Sequence, residues 1–174
     1  ICLAEPNISL TLYQAIPKQN KMESIVQKSV ELGVSKIVPV LTNRCVSRPD
    51  ERDFAKKVLR YNKIALEASK QSGRGKVPEV TSFLKLDEAL CEMAKSDCPL
   101  VLYENDGIRF TETDVVNAKN ISILVGSEGG FEQSEIELAK TYGVKPLWLG
   151  HRILRCETAP LAAISITMLL TKNL

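Results

Sequence analysis

The apolar positions of the chain fall into short continuous runs separated by longer amphipathic stretches. Ile8–Ile16, Lys36–Leu41, Pro99–Tyr103, Ile121–Val125 and Lys145–Leu149 are runs of the first kind. Their length and apolar continuity predict strands buried on both faces, as in a parallel sheet. Between them the apolar residues recur at helical spacing. Ile25, Val26, Val30 and Leu32 predict a helix over Met22–Leu32, with Gly33 where a C-cap belongs. Asp50 is placed to cap a helix running to about Ser69. That helix would bury Phe54, Val58, Leu59, Tyr61, Ile64, Ala65 and Ala68 and turn Lys56, Lys57, Arg60 and Lys63 outward. Leu86–Ala94 predicts a short helix with Asp87 and Glu88 in its first turn. Thr42–Pro49 reads as a loop and Asp114–Asn120 as a linker. Pro160–Leu170 is the most apolar stretch, too short to span a bilayer, and reads as a core or interface helix. Strand and helix alternate, which predicts an α/β fold with a mostly parallel sheet flanked by helices.

Composition adds little to this until charge is followed along the chain. With 174 residues, 44% hydrophobic, the chain suits one domain with a full core. Net charge is +2, unevenly spread. Pro17 to Lys85 holds fifteen Lys/Arg against seven Asp/Glu, and Leu86 to Gly150 five against twelve. A basic half beside an acidic half suits a polyanion on one face, and equally a pair of solvated helix faces. The five cysteines, Cys2, Cys45, Cys91, Cys98 and Cys156, form no C-x-x-C pair, so a reduced, cytoplasmic setting is expected, with no zinc site. There is no signal-peptide pattern.

Candidate chemistry concentrates in Ile121–Met168. Two apolar runs there each lead to a glycine-bearing loop, Gly126-Ser127-Glu128-Gly129-Gly130 and Gly150-His151-Arg152-Ile153-Leu154-Arg155-Cys156-Glu157-Thr158. In open α/β sheets ligands sit beyond the carboxyl ends of the strands, so the two loops make one candidate pocket. A third strand end, Glu104-Asn105-Asp106-Gly107, is expected beside them. Glycine permits close approach of backbone to ligand. Neither loop matches a dinucleotide or P-loop pattern, no lysine follows the first, and Glu128 would repel phosphate. A ligand with a cationic or neutral group fits better. In the second loop, Ile153 and Leu154 read as an apolar floor, with Arg152, Arg155 and Glu157 at the rim. Two ordinary βα turns are the plainer alternative. Gln71–Pro78, basic and glycine-containing, could grip a phosphate or simply connect two elements.

GSEGG followed, after one helix and strand, by LGHRILRCETA resembles the SPOUT superfamily of S-adenosylmethionine-dependent RNA methyltransferases, and within it the ribosomal RNA small subunit methyltransferase E family. Ser127 stands where that family usually has proline. The segments Ala15-Ile16-Pro17-Lys18, KSVELGVSKIVP and EASKQSGR extend the resemblance over nearly the whole chain. The resemblance implies a trefoil knot in the last strands and helix, a homodimer, no membrane association, and methylation of uridine N3 in 16S rRNA of the small ribosomal subunit. It implies S-adenosylmethionine held by Leu102, Tyr103, Glu104, Val125, Gly126, Ser127, Glu128, Gly130, Leu149, Gly150, Ile153, Leu154, Arg155, Thr158 and Ala159, with no metal. Arg155, with Arg152 second, is the candidate to stabilise charge on the base. Glu128 would orient the cofactor's cationic end or accept a proton, ahead of His151, the only histidine. RNA contacts are expected from Lys18, Lys21, Arg44, Gln71, Ser72, Arg74 and Arg152. Family members carry an N-terminal PUA-like barrel; with Ile1 directly before the first strand and no starting methionine, the sequence is expected to be a truncated piece holding the methyltransferase domain without that barrel. A relative methylating another target, such as a ribose 2′-hydroxyl, and a non-catalytic RNA-binding domain of the same fold are the competing readings.

Overall fold

The structure, a computed structural model, describes residues 4–174; Cys2 lies outside them. Among these residues seven strands form one parallel sheet. β1 (Ser9–Ala15) is central, with β2 (Lys36–Leu41) on one side and β6 (Asn120–Val125) on the other. Beyond β2 lie two short strands, β3 (Glu79–Val80) and β4 (Leu84–Lys85). Beyond β6 lie β5 (Cys98–Leu102) and then β7 (Lys145–Leu147) at the edge. The chain thus passes from β5 inward to β6 and back outward to β7.

The predicted helices form with small shifts. α1 (Lys21–Glu31) and α2 (Glu51–Gln71) pack on one another, and α5 (Ala159–Leu170) packs on α1 and β6. Their core side chains include Leu10, Leu12, Ile25, Phe54, Ile123 and Ile164, all buried. The Asp50 carboxylate accepts the Asp53 N–H at 2.7 Å, the N-cap bond expected of it. On the other face, α3 (Leu86–Met93) and α4 (Gln133–Thr141) cover Tyr13, Val38, Val101 and Leu124. The continuous apolar strand runs follow from this double cover.

Several elements depart from the sequence reading. β7 ends at Leu147, two residues early. Trp148 leaves the β5–β7 pairing and donates its N–H to the Ile108 carbonyl. β3 and β4 are two residues each and too short to register in a periodicity. The Asp114–Asn120 stretch is no free linker, because Val115 and Ala118 are buried in the core and a short 3-10 turn, Phe110–Glu112, precedes it. Among the described residues no helix is long and apolar enough to cross a membrane.

Candidate active site

Because the sheet is parallel, all its carboxyl ends face one way, and the loops leaving β5, β6 and β7 meet there. They enclose a cavity of about 500 Å³, within the range of small-molecule sites. Leu102, Tyr103 and Glu104 come from the end of β5. Val125 and Gly126–Phe131 come from the end of β6. Leu147, Leu149, Gly150, Arg152–Glu157 and Ala159 come from the end of β7 and the approach to α5. All but one of the residues expected to bind cofactor therefore line one space. The exception is Thr158, which is exposed outside the lining and bounds α5 without a side-chain capping bond.

The glycines of the first loop are needed where they stand. A Cβ on Gly126 would come within 3.2 Å of the Gly130 Cα and of the Phe131 ring. Gly130 has φ +64°, and its Cβ would meet a Glu104 carboxylate oxygen at 3.1 Å. Side chains at these places would fill the cavity that the loop surrounds. The Ser127 hydroxyl donates to the Arg44 carbonyl at 3.4 Å. Arg44 returns one from its guanidinium to the Gly129 carbonyl at 3.0 Å, and a Cβ on Gly129 would strike the Arg44 Cβ at 2.9 Å. The Thr42–Pro49 loop is thus fastened to the glycine loop. Glu135, a buried carboxylate, completes the fastening by accepting the Asn43 N–H at 2.8 Å and the Glu132 N–H at 2.9 Å.

At one wall a charged cluster forms around Lys21. Its ammonium lies 3.1 Å from Glu128 and 3.5 Å from Glu157. The Cys156 thiol donates to Glu157 at 3.2 Å. Burial pushes the Cys156 thiol up, and the neighbouring Glu157 and Glu128 carboxylates push it further, to about 12, so it stays neutral. Burial by itself would raise the Glu128 carboxyl. The N–H groups of its own backbone and of Lys18, with the Lys21 ammonium, outweigh that and hold it below the usual glutamate range. A carboxylate so well supplied with donors is a poor proton acceptor. Of the two roles expected of Glu128, orientation is the one its surroundings favour.

Several other expectations need correction. Ile153 is not floor: it is 82% exposed, and the apolar lining comes instead from Leu102, Val125, Phe131, Leu147 and Leu149 with half-buried Leu154. Lys21, expected to face RNA, is turned into the cavity wall. Glu157 and Cys156 line the cavity although neither was expected to hold ligand. The quoted LGHRILRCETA motif contained them, but which of its alternate residues point inward depends on a loop path that spacing does not give. Gln71, Ser72 and Arg74 lie at the far end of α2. That helix runs from the pocket end of the sheet to the opposite end, about 30 Å for its 21 residues. The Arg74 side chain is 3% exposed and spends its guanidinium on Glu5 and on the Val30 and Val34 carbonyls. The Ser72 hydroxyl donates to the Ala68 carbonyl. This loop is a structural joint remote from the pocket. Arg152 and Arg155 are exposed and make no side-chain hydrogen bond or ion pair among the described residues. His151 packs edge-on against Trp148, with centroids 4.8 Å apart, and does not line the cavity.

A parallel sheet with a glycine-walled cavity at its carboxyl ends, and two arginines at the rim unpaired among the described residues, defines a ligand-binding α/β domain. A profile described as RNA methyltransferase domain matches residues 4–168. A methyltransferase from Legionella pneumophila, solved with its bound cofactor SAM, is 36% identical with a TM-score of 0.90; the match covers 95% of this chain and 67% of that one. The ribosomal RNA small subunit methyltransferase E of Neisseria gonorrhoeae, solved bound to S-adenosyl methionine, is 37% identical with a TM-score of 0.88, covering 95% and 68%. The Bacillus subtilis protein of the same name is 33% identical over 165 residues, 91% of this chain and 64% of that protein. The chain belongs to the ribosomal RNA small subunit methyltransferase E family of RNA methyltransferases. It spans about two thirds of the length of the curated relatives it matches.

Proposed function

We propose that this domain binds S-adenosylmethionine in the cavity above β5, β6 and β7 and methylates N3 of a uridine in 16S ribosomal RNA. The observation that carries the reading is the cavity itself. Its size, its glycine wall and its mixture of apolar and charged lining suit a nucleoside joined to a cationic amino-acid tail. The cofactor supplies, when bound, a methyl group on a positively charged sulfur. Leu102, Tyr103, Val125, Leu149 and Leu154 would hold the adenosine part, and the Glu128–Lys21–Glu157 wall would face the cationic part.

The chain's own contribution is position and charge. Displacement at a methyl carbon needs the nucleophile in line, so holding the base at the rim supplies much of the rate. Uridine N3 becomes nucleophilic as its proton leaves, and negative charge then spreads to the carbonyl oxygens. Arg155, a cavity-lining residue whose guanidinium has no partner among the described residues, would stabilise that charge. Arg152, and Lys18 and Arg44 on neighbouring loops, would hold phosphates around it. The outer face of α5, where Leu169 is 61% exposed, would pair with a second copy, and the chain around β6, β7 and α5 would be knotted.

Calorimetry tests the cofactor half. S-adenosylmethionine and its demethylated product should both bind in the presence of EDTA. A requirement for a divalent ion, or preferential binding of ATP, would overturn the reading.

A further inference from the structure

Gln14 is completely buried near the end of β1, yet it is a polar residue among apolar neighbours. The pairing of β1 with β6 ends at Gln14 and Val125. One residue further on, the Gly126 carbonyl enters the glycine loop, and no backbone N–H of β1 continues to it. The Gln14 side chain does so instead. Its Nε2 donates to the Gly126 carbonyl at 3.3 Å and to the Ala15 carbonyl at 3.1 Å. The side-chain amide thus adds one more rung to the ladder, at the point where the strand becomes the cavity wall. The other half of the amide is orphaned: Oε1 is buried with no partner among the described residues.

An unpaired buried acceptor costs folding stability. A methionine or leucine would fill much the same space without that orphan, but it would take the amide donor from the Ala15 and Gly126 carbonyls. Packing therefore does not explain a glutamine here; its bonds to the Ala15 and Gly126 carbonyls do, and the second of them reaches the cavity loop. A planar trans peptide puts the N–H of Ser127 on the edge opposite the Gly126 carbonyl, so holding the carbonyl sets the whole peptide plane. Gly126 has no Cβ to restrict it. The later part of the loop is held separately, by the Gly130 N–H on the Ser127 carbonyl at 2.9 Å and by Arg44 on Gly129. No other hydrogen bond among the described residues reaches the Gly126 carbonyl.

We propose that Gln14 is a positioning residue: from outside the cavity, its side-chain amide fixes the Gly126–Ser127 peptide in the orientation that receives the cofactor. This rests on the assignment of the cavity to S-adenosylmethionine. The test is Gln14→Met in the full chain, with Gln14→Leu as a second variant should methionine be rejected by the core. Three quantities are measured: the melting temperature, hydrogen exchange of the peptide covering 126–131, and S-adenosylmethionine affinity by calorimetry. The expected result is a melting temperature close to that of the parent, because the lost orphan offsets the lost bonds, with faster exchange in the loop and binding weakened about tenfold, the worth of one well-placed hydrogen bond. A merely structural glutamine would do the reverse, lowering the melting temperature while leaving loop exchange and affinity unchanged, and that outcome overturns the proposal. Failure of the parent chain to bind S-adenosylmethionine would sink the cofactor assignment. The exchange measurement would still decide whether Gln14 orders the loop.

Discussion

Arg155 and Glu128 line the same cavity with opposite degrees of commitment. Glu128 is supplied by Lys18 and Lys21, whereas the Arg155 side chain has no hydrogen-bond or ion-pair partner among the described residues. If Arg155 stabilises the charge developing on uridine, Arg155→Ala should cost on the order of a hundredfold in methylation rate at saturating RNA, with the melting temperature unchanged. Arg155→Lys should rescue only partly, because a point charge does not replace a planar fork. An alanine variant with the parent's rate would exclude the role. Glu128 and Glu157 are both held below the usual glutamate range, as is Glu5. Each binds its proton more weakly in the folded chain than in the unfolded one. Their contribution is therefore present above the ordinary glutamate range and lost as pH falls through it, from about pH 5 downward. Denaturant unfolding between pH 3 and 7 should show this fall, and Glu5→Gln should flatten it. A variant with the parent's acid limb would contradict the assignment.

At the scale of elements, the strands and long helices were legible because burial on two faces, or on one, writes itself into periodicity. Lys36–Leu41 matches to the residue, and Asp50 caps as expected. The carboxyl ends of three strands could be placed together from glycines and alternation alone. What was not legible depends on contacts distant in sequence. β3 and β4 exist only as partners of β2. The inward turn of Lys21 depends on Glu128, 107 positions later. Arg74 resembled a solvent-facing cation because Glu5, which neutralises it, is far away in the chain. Removing one partner of so enclosed a pair leaves an uncompensated charge, so Arg74→Ala should cost about 3 kcal/mol or more in urea unfolding. Since the joint lies at the opposite end of the sheet, cofactor affinity at a temperature where the variant is folded should be unchanged. Weakened cofactor binding with intact stability would show that the joint serves the site. In the glycine loop itself, Gly126→Val should weaken cofactor binding by driving a side chain against Gly130 and Phe131. Undiminished affinity in calorimetry would show that the ligand sits elsewhere.

For the whole molecule, the organising fact is that one end of a parallel sheet gathers the cavity, the free arginines and the loop of Arg44. The other end is a structural joint. RNA should therefore approach from the carboxyl end of the strands, and its affinity should fall with added salt in proportion to the phosphates held there. The claim that joins fold, cavity and family is methyl transfer to a uridine base. Its most direct test is incubation of unmethylated 30S subunits with methyl-labelled S-adenosylmethionine, followed by digestion of the 16S RNA to nucleosides. Label is expected in 3-methyluridine, and its yield should collapse with Arg155→Ala. Label in a 2′-O-methylated nucleoside, or no transfer by a chain that binds the cofactor and the RNA, would contradict it.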